Sequence, residues 1–462
     1  MNTTERHARY YLKMVEKTPN DWKKIESNLG QIRRAWDWVC RQPNTQLILD
    51  YVDGLRVFQN NRGLWQEQIS WGKEALQQMD EHENLLKCSS VHQNIAWCYY
   101  ALGEYQSALD CLERALAMLD EFQNTNEYAS VLSALGVMFR ERGEITKACE
   151  QLEHALALRR ISGDKTGEAI TLGNLALIKS HLGYRQEAID LLQLNLKIHE
   201  EQGNPSLAAV TLNNLGTIYE TIGEYDYAAS AYQNALAWHQ TDGDLRMMAI
   251  ILNNQGKLLV RKGELQAASL SYKQALNINH QLGNPIAEAT TLSNLGHLHS
   301  MDGDVPRAET YYQSAYQIFK SLHYREGEAF LLNNMGEMHN RNKKYEKAVS
   351  VLKQGLGIAR QLENKALESD ILNNLGRAET GAGNIKNAET CYEEALTISR
   401  LIFDPSGEMI TLLNLSSVFA QLQEWQSARR CCEDALPLTR KLGNKSMEKL
   451  AMEMLSLMSQ VG

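Results

Sequence analysis

Asparagine is the residue whose type and spacing in this chain most plainly imply a chemistry. Asn94, Asn174, Asn214, Asn254, Asn294, Asn334, Asn374 and Asn414 stand at multiples of forty residues from one another. A partial second row, Asn213, Asn253, Asn333 and Asn373, runs one residue ahead of it. A primary amide carries two donors and an acceptor with two lone pairs. It pairs with both the N–H and the C=O of a peptide backbone, so a ladder of amides at one spacing would hold an extended peptide largely regardless of its side chains. The alternative is that the same amides tie neighbouring helices together. Asparagine is a poor helix former, so its repeated use inside helices needs one of these reasons.

Residues for bond-making chemistry do not assemble into a motif. Gly72-Lys73-Glu74 and Gly256-Lys257-Leu258 lack both the preceding glycine and the Ser/Thr of a phosphate-binding loop. H-E-x-x-H, G-x-S-x-G and G-x-G-x-x-G are absent. His297-Leu298-His299 is spaced too closely to place both imidazoles on one helical face. The eight cysteines contain no C-x-x-C pair, so neither a zinc ribbon nor a thioredoxin-like motif is supported, and they read as small apolar residues of a reducing compartment. We expect no cofactor, no metal and no enzymatic activity, with a catalytic site hidden among scattered residues as the remote alternative.

The elements that position the asparagines repeat with them. Leu212-Asn213-Asn214-Leu215-Gly216 recurs as Leu252-Asn253-Asn254-Gln255-Gly256, Leu292-Ser293-Asn294-Leu295-Gly296, Leu332-Asn333-Asn334-Met335-Gly336 and Leu372-Asn373-Asn374-Leu375-Gly376. Seven residues after the last position of each string come Gly103, Gly143, Gly183, Gly223, Gly263, Gly303 and Gly383, with Lys343 and Gln423 as exceptions. Five further on, alanine is unbroken from Ala108 to Ala428. The glycine ends one helix in a sharp turn. Small residues such as Gly216 and Ala228 let the next helix approach closely, while Leu215, Tyr219 and Tyr232 give the apolar spacing of buried helical faces. A second helix ends near Gly163, Gly203, Gly243, Gly283 and Gly443. It is followed by an Asn or Asp that caps the next start: Asn84, Asn124, Asp164, Asn204, Asp244, Asn284, Asn364, Asp404 and Asn444, with Tyr324 as the exception. Acidic residues such as Glu168, Glu288, Glu328, Glu368 and Glu408 sit in the first turns, where the helix dipole favours them. The unit is helix, tight turn, helix, short loop. No unit buries its own apolar faces, so stacking must supply the core.

Five of the eight tryptophans fall within the first 71 residues, and Arg6 to Arg41 reads as a helical pair with Ala35 still in phase. We divide the chain into an N-terminal helical cap over 1–47, about ten forty-residue units over 48–445, and a capping helix over 446–462. The formal charge of −9 gives no basic signature of a nucleic-acid binder. The polar start and the lack of an 18-residue apolar run point to a cytoplasmic protein that does not enter a membrane.

The recurrent Gly, Ala, Tyr and Ala positions resemble the tetratricopeptide family. The forty-residue unit with its L-x-N-L-G core is similar to those of the spindle-orientation adaptors of the Leu-Gly-Asn type and of kinesin light chains. The resemblance implies an all-α, right-handed superhelical solenoid of helix-turn-helix repeats whose first helices line a concave groove that receives a peptide. Carried over residue by residue, the groove would present the amides of Asn174, Asn213, Asn214, Asn253, Asn254, Asn294, Asn333, Asn334, Asn373 and Asn374. Beside them would lie Trp97, Leu177, Lys257, His297 and Arg377, with Arg261 and Arg341 at a neighbouring position. The N-terminal half would take hydrophobic side chains, and the stretch from Lys257 to Arg377 would take acidic ones. The other reading of those charges is a solvated face. The lysine that carboxylate-clamp domains place one turn before the asparagine is missing: Ser90, Ser130, Ile170, Val210, Ile250, Thr290, Phe330, Asp370 and Ile410 stand there, which argues against chaperone-tail binding. At the N-terminus, Arg6-His7-Ala8, Tyr10-Tyr11-Leu12, Ile25-Glu26, Asn28, Arg33 and Ala35-Trp36 resemble the entry to the helical sensor of bacterial signal-transduction NTPases. The chain is therefore expected to be a protein- or peptide-binding scaffold, an adaptor or the sensing part of a signalling protein. The alternative is a small-molecule sensor region of such an NTPase. Oligomeric state is left open.

Overall fold

A computed structural model describes residues 3–17, 21–42, 44–79, 84–123 and 125–461. Among them are twenty-three α-helices and one short 3-10 helix, and no strand. Asn124, expected above to cap a helix, lies outside the described residues. The helices come in pairs, such as Pro205–Thr221 with Tyr225–Asp242 and Leu245–Arg261 with Leu265–Leu282. They stack in chain order as an all-α superhelical solenoid.

Each fixed residue of the beat has its expected place. Every alanine from Ala108 to Ala428 in the unbroken series is fully buried. The close approach they allow brings tyrosine rings onto glycines: a Cβ on Gly216 would lie 2.6 Å from Cε1 of Tyr232, and one on Gly296 would lie 2.6 Å from Cδ1 of Tyr312. The tyrosines therefore pack on bare backbone, and Tyr232, Tyr272 and Tyr312 are almost entirely out of solvent. Where Asn195 stands in a second forty-residue series of alanines (Ala155, Ala235, Ala275), its buried amide donates to the Ala169 carbonyl at 2.9 Å and accepts from Thr211 at 3.1 Å. The polar side chain is thereby satisfied, as burial requires.

The turns keep their geometry even where the sequence departs from glycine. Gly223 takes φ +83°, and Lys343 and Gln423 at equivalent positions take φ 56° and 63°. The second-helix ends do the same at His323, Glu363 and Phe403. Backbone position, not residue type, is set by the stack. Asp164, Asp244, Asn284, Asn364, Asp404 and Asn444 accept amides at the next helix start, while Asn204 makes no such side-chain bond. The first-turn glutamates do more than answer a dipole. Arg160–Glu168, Arg360–Glu368, Arg400–Glu408 and Arg440–Glu448 pair at 2.8, 2.8, 2.6 and 2.8 Å, each joining the end of one helix pair to the start of the next.

The array also touches itself far along the chain. Arg62 Nη1 donates to the Gly283 carbonyl at 2.8 Å, and Tyr105 Oη donates to Glu326 Oε1 at 2.7 Å; both contacts span 221 positions. Ile286 lies over Gly63, Ile402 over Gly143 and Leu442 over Gly183. Trp65 meets Tyr324 edge-on at 5.7 Å, and Trp22 donates its indole N–H to the Gln281 carbonyl. The first superhelical turn thus rests on the second.

Candidate functional site

A cleft opens between the two superhelical turns. On one side, helices Leu245–Arg261, Pro285–Met301, Arg325–Arg341 and Lys365–Gly381 present Ile250, Thr290, Phe330 and Asp370, one per repeat at the same register. All four side chains are exposed to the cleft. On the other side stand Trp97, Tyr100 and Ala101 from Leu85–Ala101, Arg140 and Glu141 from Asn126–Glu141, and Leu177 and His181 from Lys165–His181. The cleft has two chambers. One, of about 470 Å³, is lined by Trp65, Trp97, Arg246, Ile250, Asn253, Asn254, Lys257, Asn284 and Asn294 among others. The other, of about 730 Å³, is lined by Tyr100, Tyr105, Glu141, Leu177, Tyr324, Glu326, Phe330 and Asp370 among others. Ala101 and Thr290 line both, so the chambers adjoin.

The chambers differ in charge. The smaller has Arg246 and Lys257 in its wall and no carboxylate. Among the described residues neither cation has an ion-pair partner. Lys257 is reachable by solvent yet surrounded by protein, and this loss of hydration pulls its ammonium below the ordinary lysine range, with Glu220 acting the other way. The larger chamber carries three carboxylates. Glu141 is neutralised by Arg140 beside it. Glu326 accepts from Tyr105 at 2.7 Å, Asn364 at 2.9 Å and Tyr324 at 3.4 Å, and burial raises its carboxyl above the usual range. Asp370 has no hydrogen-bond or ion-pair partner among the described residues. Its enclosed setting, and then Asp404, push it up to about 6.

The asparagine rows meet one another across the repeats. Asn254 Nδ2 donates to Asn213 Oδ1 at 3.0 Å, Asn294 to Asn253 at 3.1 Å, and Asn374 to Asn333 at 2.8 Å. Asn334 donates to Ser293 at 3.2 Å, and Asn373 accepts from Thr411 at 2.9 Å. The second row is thus an acceptor for the next repeat's first row, and Asn213 and Asn333 are buried. This is the helix-tying use of the amides. It leaves Asn254 and Asn294 edging the smaller chamber with remaining donor and acceptor capacity, and Asn253 with acceptor capacity only, since its amide already donates to the Ala249 carbonyl and to Thr291. Asn214 has no such bond to make, because Gly173 stands where its acceptor would be. Asn174, one repeat earlier, faces Ser133 in that register instead of an asparagine.

The cations of the stretch from Lys257 to Arg377, expected to take acidic side chains, differ in their surroundings. Arg261 pairs with Glu220 at 2.8 Å, Arg341 with Glu337 at 3.1 Å, and Arg377 donates to Asn374 at 2.8 Å. Burial holds His297 below its usual range, so it is neutral at pH 7. Of the cations in this set, Lys257 and Arg377 have no ion-pair partner among the described residues, the Arg377 guanidinium meeting a neutral amide. The apolar half and the charged half expected along the groove lie opposite one another across the cleft. Closure brings Trp97 into one chamber with Lys257 and Leu177 into the other with Asp370, so the halves face each other. Of the expected site residues, Asn174, Asn213, Asn214, Asn333, Asn334, Asn373, Asn374, Arg261, His297, Arg341 and Arg377 line neither chamber. Arg246, Trp65, Tyr105, Glu326 and Asp370 were not expected at the site. Asp370 had a signal, as the one acid in a register otherwise apolar or hydroxylic.

A solenoid of paired helices with alanine-lined contacts, left-handed turns and a groove between superhelical turns defines a class, and the chain belongs to the tetratricopeptide repeat family. Family models for that repeat match residues 89–121, 127–201, 207–280, 287–361 and 367–441. Among solved structures it is similar to yeast Tom70, with 13% identity, 98% of this chain and 96% of that one covered, and a TM-score of 0.51. It is also similar to a Rap protein complexed with competence and sporulation factor (15% identity, 87% and 98% covered, TM-score 0.50). A third is aspartyl phosphate phosphatase F from Bacillus subtilis (12%, 78% and 96%, 0.50). At these identities the likeness is one of fold. A comparison with curated proteins returned no match. No helix of the described residues is long and apolar enough to cross a membrane.

Proposed function

We propose that the chain is a non-catalytic scaffold that binds a protein or peptide segment in the cleft between its superhelical turns, as an adaptor or as the sensing part of a signalling protein. The observation that carries this reading is the pair of adjoining chambers lined by unpaired charges, amides and exposed aromatic rings. A site of this kind is not needed for stacking, and unpartnered groups in a water-poor cleft cost stability unless a ligand repays them. The Rap structure, in complex with competence and sporulation factor, supports binding as a use of the fold. The cap over 1–47 and the closing helix over 446–462 would then shield the ends of the array, and the site residues are Trp97, Asn253, Asn254, Lys257, Asn294 and Leu177.

A photo-crosslinking amino acid at Thr290, where the chambers meet, tests this against one at Leu270, which is 60% exposed outside the cleft. The expected outcome in source lysate is a discrete protein or peptide adduct from position 290 and none from position 270. Adducts from 270 alone would place binding elsewhere. The chamber volumes, about 470 and 730 Å³, also suit a small molecule. Native mass spectrometry of the purified chain showing a retained compound below peptide mass would favour that second reading.

A further inference from the structure

Resting on the peptide-binding reading, we infer that the segment the cleft selects is bipolar: an acidic side chain at the Lys257 end, a basic side chain at the Asp370 end, and an apolar stretch between. The charges left unpaired are sorted by chamber, the Arg140 of the larger one being held by Glu141. Lys257 and Arg246 stand in a wall that has no carboxylate, and Asp370 stands in the other chamber with no partner of its own among the described residues. Both Lys257 and Asp370 lie in exposed register positions of first helices, so neither is held by core packing. Each is reachable by solvent yet poorly hydrated, which strengthens attraction to an opposite charge over its value in open water.

The intervening surface fits the same occupant. Ile250, Thr290 and Phe330 continue the row that ends in Asp370, one repeat each, and Phe330 is 51% exposed. Trp97, 42% exposed, faces the Lys257 chamber from the opposite turn. A uniformly acidic segment would meet Asp370 and the rest of the carboxylate chamber. A uniformly basic one would meet Arg246 and Lys257. A segment with both charges, in one order along the row, avoids like-charge contact at either end and pairs both Lys257 and Asp370, which an uncharged segment would leave unpaired; like-charge juxtaposition is what suppresses wrong partners.

The test is selection from a ribosome-display library of random dodecapeptides on the full chain, repeated on Lys257→Glu/Asp370→Lys. Circular dichroism first shows that both are folded, which the exposure of the two sites favours. The wild type should enrich peptides with an acid and a base at a constant spacing and in one order. The charge-reversed chain should enrich the opposite order, and should bind a synthetic wild-type-selected peptide at least about tenfold more weakly by fluorescence anisotropy. Peptides that are enriched without a charge order, or that bind both chains alike, would overturn the bipolar reading and leave peptide binding standing. Failure of the wild type to enrich any peptide would overturn both.

Discussion

Tyr105 and Glu326 lie 221 positions apart in the chain and 2.7 Å apart in space, the phenol donating to a carboxylate that also accepts from Asn364 and Tyr324. The pair is one of the points where the first superhelical turn is fastened to the second. Tyr105→Phe removes the donor and leaves the rest of the ring in place. It should lower unfolding free energy by about 1–2 kcal/mol in urea titrations, as expected for a buried carboxylate that loses a bond. A change below a few tenths would mean that the apolar contacts of Ile286 and Ile402 hold the turns together without it.

Asp370 gives a pH signature with a definite sign. Its carboxyl ordinarily titrates at 3.8 and is raised to about 6 in the folded chain. Between those values the folded state holds the extra proton, so stability falls as pH rises through the window and the penalty is complete above it. Asp370→Asn should therefore melt higher than wild type near neutral pH, with the difference shrinking toward pH 4. Melting curves for both proteins across that range check it, and a difference independent of pH would contradict the raised titration.

The asparagine ladder predicts unequal costs for identical substitutions. Asn254→Ala strips Asn213 of its 3.0 Å donor inside a buried contact and should destabilise by about 1–2 kcal/mol. Asn214→Ala, opposite Gly173, should fall within about 0.5 kcal/mol of wild type. Equal losses would show that propensity, not the inter-repeat bond, sets the effect.

Glycine substitutions separate packing from backbone freedom. Gly216→Ala drives a Cβ to 2.6 Å from the Tyr232 ring and should cost about 1–3 kcal/mol. A methyl group on Gly357, inside the helix Tyr345–Gln361, would meet nothing within 4 Å, so Gly357→Ala should stabilise by about 0.5–1 kcal/mol. In the other direction, Lys343→Gly and Gln423→Gly relieve φ of 56° and 63° and should each stabilise by about 0.5–1 kcal/mol. Thermal denaturation of the four variants orders them.

The repeat and its elements were legible because they depend on local, periodic residues: Gly223 at a turn, Ala228 at a contact, Asp244 at a helix start. Even Lys343 and Gln423, which break the pattern, follow the backbone set by their neighbours. The site was half legible. Trp97, Leu177 and Lys257 share one register, three residues after the row of Asn254, and one repeat reveals both, whereas their meeting across the cleft depends on how small inter-repeat rotations add up over five to six units. That sum has no local signature. It is recorded in Trp22 and Ile286, and in a row such as Ile402 and Leu442, whose place over Gly143 and Gly183 shows once the turns are stacked. The pairing of Arg261 and Arg341 was hidden for the same reason, since the side chains of Glu220 and Glu337 had to be placed before these charges could be cancelled.

Closure has a consequence for how such a chain can change in length. In an open array a unit can be duplicated or lost with little effect on the rest, because each touches only its neighbours. Here Arg62–Gly283 and Tyr105–Glu326 share one separation of 221 positions. Insertion or deletion of a single forty-residue unit between them would shift every fastening between the turns at once, setting Gly63, Gly103 and Gly143 against the wrong loops. Unit number is thereby tied to three-dimensional register, and drift by whole repeats, an easy route of variation for open tandem arrays, is closed to the interior of this one.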